Sequence, residues 1–175
     1  MNLAINELKI QAKKMLKAIK VGGSLIDKQQ RQLKTFNLDF TQEIKLKHCH
    51  FIIATKYGFD SWQHAQQVLS GSAVTKVTMN MGILFHSSRC DALINLWFAS
   101  YEEAYIALAV DQQNRWLIPY KQQYIVVNKE YLKILGIGEG FDEQWHNINH
   151  DLVKGYNSES WDTLATAVLE NSGFR

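Results

Sequence analysis

The sequence predicts an α+β protein: an all-α helical module over residues 1–71, then a small, mainly antiparallel sheet with flanking helices over residues 73–175. Three observations predict it. Before residue 71, apolar residues recur at helical spacing; after it, short apolar runs of strand length alternate with turn residues. Ser70-Gly71-Ser72 interrupts the chain where the pattern changes. The charge changes sign there too. Residues 1–71 hold 11 Lys+Arg against 5 Asp+Glu, net +6, and residues 72–175 hold 8 against 12, net −4.

The elements follow in order. Leu8, Ala12, Met15 and Ile19 share one face of a helix over 3–20, with Lys9, Lys13, Lys17 and Lys20 beside them. Gly22-Gly23 ends it, and Ser24 with Asp27 opens a second helix over 25–34. Leu46, Cys49, Ile53 and Tyr57 form the face of a third, closed by Gly58 in a position that wants φ > 0. Asp60, with Gln63 three residues on, reads as the cap of a fourth, whose inner face is Trp62, Ala65, Val68 and Leu69. Val74–Met79 and Ile83–His86 read as strands, and Leu93–Phe98 as a strand buried on both faces. Ser100 and Glu103 form a capping box for a helix over 101–110. Residues 115–119 and 123–127 pair as a hairpin, with Pro119 marking an edge or a bulge. Asn128 caps a short helix ended by Gly136. Residues 138–156 read as irregular, with one helical turn. Ser158 caps a last helix over 159–171.

Composition narrows the function classes. The 175 residues are 46% hydrophobic and 21% charged, with one proline, as in an ordinary folded protein. No run approaches the length of a membrane span, and the N-terminus lacks a signal-peptide pattern. Two cysteines at unrelated positions make no disulfide framework, so a cytoplasmic setting with reduced thiols is expected.

The segment from Leu8 to Gly71, with its lysine-rich first helix and "LKHCHFIIATKYGFDSWQHAQQVL", resembles a small helical module attached to bacterial glyoxalase-related proteins. Lys47-His48 stands where that module usually has Ser/Thr-His. The resemblance implies a helical fold fragment and no reaction, and no glyoxalase metal pattern follows Ser72. The stretch from Trp116 to Val153 also resembles segments of uncharacterised bacterial proteins.

Candidate chemistry is sparse. His48 and His50 lie about 200° apart on a helix and cannot grip one ion, so a capping or packing role is expected. Ala54 and Gly58 fit a helix-turn-helix, but His64 and Gln67 stand where that motif needs apolar residues. His86 with Cys90, and His146 with His150, have the i, i+4 spacing of chelating pairs; each falls short of the three or four ligands that zinc requires. Gly136-Ile137-Gly138-Glu139-Gly140 follows a helix rather than a strand and is no dinucleotide loop. No catalytic residue, no cofactor and no metal site is assigned; His146 and His150 are the candidates that come nearest to one.

The leading expectation is a non-enzymatic binding or regulatory module whose partner is another protein or a second copy. The alternatives are nucleic-acid association through Lys9, Lys13, Lys17 and Lys20, and then a metal-assisted hydrolase.

Overall fold

The computed structural model describes residues 2–22, 31, 34, 43–72 and 80–172. Helix α1 (Leu3–Lys20) buries Leu8, Ala12 and Met15, the stripe read from the sequence. Its N-terminus has no local side-chain cap. The Asp162 carboxylate accepts from the Leu3 and Ala4 amides, both at 2.9 Å, so a residue 158 positions away satisfies the first helical donors.

Helix α2 (Leu46–Lys56) ends at Tyr57, and Gly58 follows at φ 75°. A side chain at Gly58 would also meet Ile83, only 2.9 Å from the Cβ position. The next helix, α3 (Trp62–Leu69), starts one residue later than the sequence suggests. Its cap is Ser61, whose hydroxyl accepts from His64 N at 3.0 Å, and the Asp60 amide donates to the His64 ring. Serine competes well here because its short side chain reaches the third helical amide directly. The predicted helix over 25–34 and strand over 74–79 fall largely or wholly outside the described residues.

Two strand expectations are corrected. Residues 83–86 form turns and a loop, not a strand. Their neighbourhood spends its backbone groups elsewhere: Ile83 N donates to Tyr57 O, Met81 N to Lys121 O, and Lys121 N to Gly82 O. The run from Leu93 to Phe98 yields only a three-residue strand, β1 (Leu96–Phe98), and it is largely exposed rather than buried. Upstream, the turn from Ser88 to Cys90 holds Leu93 N on Cys90 O and shortens the strand.

Ser100 caps α4 (Tyr101–Ala109) as expected. The hairpin is β2 (Trp116–Tyr120) and β3 (Gln123–Val127), turning at Lys121 with φ 52°. The antiparallel order is β1-β3-β2, so Pro119 does lie on an edge strand. The outer edge of β2 is met by residues 150–152: Leu117 N donates to His150 O at 2.8 Å and Leu152 N to Leu117 O at 3.0 Å. Asn128 caps α5 (Lys129–Leu135), which Gly136 ends at φ 79°. One short helix, α6 (Asp142–Asn147), interrupts the irregular region, and α7 (Glu159–Ser172) closes the chain with Ser158 accepting from Trp161 N.

The register places Phe98, Tyr124, Val126 and Leu117 on one sheet face, under α4 residues Ala104 and Leu108. Ile118, Ile125 and Val127 join the main core on the other face. That core runs from Ala4 and Met15 through Ile53 and Leu69 to Trp145, Trp161 and Leu169. Residues on both sides of the expected boundary near 72 therefore share one cluster. Helix α1 packs on both α2 and α7, Gln11 donates to Leu169 O, and Tyr156 donates to Val68 O at 2.7 Å.

Candidate functional site

The His48-Cys49-His50 motif resolves into three separate jobs. His48 sits at the third position of α2 and accepts from Lys45 N at 3.0 Å, a local cap. Cys49 is buried in the core, and burial pushes its thiol up to about 11. His50 stacks on Trp62, centroids 3.9 Å apart and planes 7° apart. Trp62 is only half-buried, so it seals the α2–α3 seam from outside rather than filling the core.

That stack has cationic neighbours. Burial first, then the ammonium groups of Lys9 and Lys13, hold the His50 imidazole below its ordinary value. The predicted stripe thus gains an aromatic companion that the sequence of α1 does not contain. Lys13, Lys17 and Lys20 are exposed and Lys9 is half-buried; Lys20 pairs with Glu43 at 3.9 Å.

His86 does not pair with Cys90. Its Nδ1 lies 2.8 Å from the Tyr131 hydroxyl and its Nε2 donates to Asp91 at 3.0 Å, because a carboxylate only accepts. Cys90 is buried, and that burial raises its thiol pKa. A thiol held protonated, without a base in contact, is a poor nucleophile.

His146 and His150 line a common cleft of about 630 Å³, with Trp116, Asn128, Glu130 and Asp142. The His150 Nδ1–H donates to Gln112 O at 2.6 Å and lies 3.2 Å from Arg115 O, which leaves Nε2 as the lone-pair nitrogen of the neutral ring. Among the described residues no three His, Cys, Asp or Glu side chains converge in a way that could hold a metal ion.

The surface the sequence missed is β1–α4. Ile94, Trp97, Ile106 and Val110 are 94%, 48%, 66% and 73% exposed, and Leu96 and Tyr105 also reach solvent. Among the described residues β1 pairs only with β3, and its other edge has no partner strand there. The segment that forms the patch is acidic in sequence, while Arg115, just after it, donates to Ala107 O on α4 at 2.8 Å. From residue 90 to 114 the acidic residues are Asp91, Glu102, Glu103 and Asp111, with no Lys or Arg. Only the acid-only composition of this stretch hints at the surface from sequence; its apolar run reads equally well as core.

Among the described residues no helix is long and apolar enough to cross a membrane. No family model, no curated protein and no solved structure matches this chain.

Proposed function

We propose that this chain is a non-enzymatic protein-binding module of the cytoplasm. It takes an extended, apolar, basic-flanked segment of a partner against the free edge of β1. The observation that carries the reading is the concentration of exposed apolar side chains on β1–α4, around a strand edge that has no partner strand among the described residues. Such patches mark interaction sites, and an open edge supplies backbone hydrogen bonds to an added strand. The acidic residues of the 90–114 segment select the partner. A second copy would bring like charges together, whereas lysines flanking a β-prone segment complement them.

The test is a titration of the 15N-labelled protein with the peptide KKVTVIVTKK and its acidic twin EEVTVIVTEE. The basic peptide is expected to shift amides 94–98 and those of α4, and the acidic twin to bind at least about tenfold more weakly through charge repulsion. Equal binding of the two, or shifts confined to other surfaces, sinks the proposal. Concentration-dependent self-association at this face would replace it with a homodimer.

The His50–Trp62 stack beside Lys9 and Lys13 supports a second reading, association with nucleic acid through α1 and α2. Four lysines on duplex phosphates would give a salt slope of about −3.5 in log K against log salt. Anisotropy titrations across a salt series, repeated with Lys9, Lys13 and Lys17 changed to Gln, decide it. Sub-micromolar binding at physiological salt that the triple variant abolishes would place this reading first.

A further inference from the structure

We propose that the cleft beside Trp116 and His150 binds a neutral, polyhydroxylated ligand, in chemical terms a short saccharide. The site is separate from the β1–α4 surface, and the proposal stands independently of the protein-binding reading. Four features of the cleft support it.

The first is shape. The 630 Å³ cleft adjoins a second cavity of about 390 Å³, and the two share Gln113, His146 and His150. Ligand sites typically occupy about 300–1,000 Å³.

The second is a rigid aromatic wall. Trp116 lies against His150 with centroids 5.0 Å apart and planes at 21°, and Trp145 meets Trp116 edge-on at 6.4 Å. Trp145 is itself buried and locked by its indole N–H on Ile137 O at 2.8 Å. Flat rings of this kind pack against the C–H faces of a sugar ring without needing charge.

The third is directional polar chemistry. With Nδ1–H committed to the Gln112 and Arg115 carbonyls, His150 keeps Nε2 to accept from a hydroxyl. The Trp116 Nε1–H is buried and has no partner among the described residues. Gln113, Asn128, Glu130 and Asp142 add planar amides and carboxylates, whose paired atoms match vicinal hydroxyls. Lys129, Glu130 and Asp142 all line the cleft, so no strong single-sign field favours an anion.

The fourth is how the wall is held. Asn149 and His150 are consecutive non-glycine residues at φ 51° and 60°, a conformation that side chains disfavour. His150 N on Trp145 O and Leu117 N on His150 O fix the backbone, and the imidazole is thereby laid against Trp116. Strained backbone of this type persists only where its surroundings over-determine it.

The experiment follows the tryptophan indole and backbone amide signals of the full chain by 1H–15N NMR. Maltotetraose, cellotetraose and chitotetraose are titrated, with inorganic phosphate as a charged comparator. At least one saccharide is expected to shift the Trp116 indole and the amides of Gln113 and His150 saturably, and phosphate is expected to leave them in place. Gln113 and His146 are exposed, so Gln113→Ala and His146→Ala keep the fold. Each is expected to weaken binding by up to about tenfold, the loss of one hydrogen bond. Trp116→Phe keeps an aromatic wall and removes the N–H, and should weaken binding similarly. Three results would overturn the proposal: no saturable shift with any of the three saccharides, affinities unchanged in all the variants, or phosphate moving the same signals more strongly.

Discussion

Asp162 is where the two ends of the chain meet. Its two carboxylate oxygens take the Leu3 and Ala4 amides at the positive end of α1. Asp162→Ala should cost about 1–3 kcal/mol, because it orphans one buried and one part-buried helix donor and removes a charge from a helix N-terminus. Asp162→Asn should fall between, retaining one acceptor. Urea midpoints check both. In the His48-Cys49-His50 motif, burial first, then cationic neighbours, lower the pKa of His48 and His50 in the folded state. The unfolded chain therefore binds more protons than the folded one below about pH 6.5. Stability contributed by these neutral rings is present above that pH and is lost as pH falls through 6.5 toward the folded values. Urea midpoints measured from pH 7.5 to 5.5 should decline, and the decline should flatten in a His48→Ala, His50→Ala double variant. Trp62→Ala should lose less than the roughly 3–5 kcal/mol of a fully buried tryptophan, since one side of the ring faces solvent.

At the scale of elements, β1 and α4 expose apolar residues that contribute little to the fold. Ile94→Lys and Ile106→Lys should leave the urea midpoint within about 0.5 kcal/mol of the parent, as surface substitutions do. Both should abolish binding of the basic peptide. A large loss of stability in either would show that the side chain is part of the packing instead. The opposite edge, at β2, has its cover already. Asp151 is fully buried, accepts from the amides of Val153 and Lys154 at 2.9 Å, and takes the Tyr101 hydroxyl at 2.6 Å. That one carboxylate ties the cover of β2 to α4 across the sheet, so the two edges differ: one is bound within the chain, and the other has no partner strand among the described residues.

At the scale of the whole molecule, the continuous core and the Asp162 and Gln11 bonds across α1 and α7 tie the first and last helices into one cooperative unit. Denaturation followed by tryptophan fluorescence and by far-UV circular dichroism should give one coincident transition. Residues 73–175 expressed alone should lack native stability, because α7 then exposes the face that α1 covers. Two separated transitions, or a folded 73–175 fragment, would restore the division at residue 72. The thiols give a second global readout: both are buried, and Cys49 is raised to about 11. Neither should react with a disulfide reagent at neutral pH until the chain unfolds.

Local physics explains what the sequence by itself determined. The span of α1, the Ser100, Asn128 and Ser158 caps and the Gly58 and Gly136 stops depend on neighbours within about four residues, and the 116–127 hairpin on pairs at most eleven apart. The helical phase that separates His48 from His50 is of the same kind. Tertiary structure alone decided the rest. Asp162 caps a helix 158 residues away; Trp62 finds His50 beside the lysines; and His86 turns to Asp91 and Tyr131 rather than Cys90. Leu93–Phe98 carries the apolar composition of a buried strand. Whether such a run lies inside or at an open edge depends on which strands flank it, and strand order is a long-range property. The cleft at Trp116 and His150 likewise exists only because residues 150–152 return to the edge of β2.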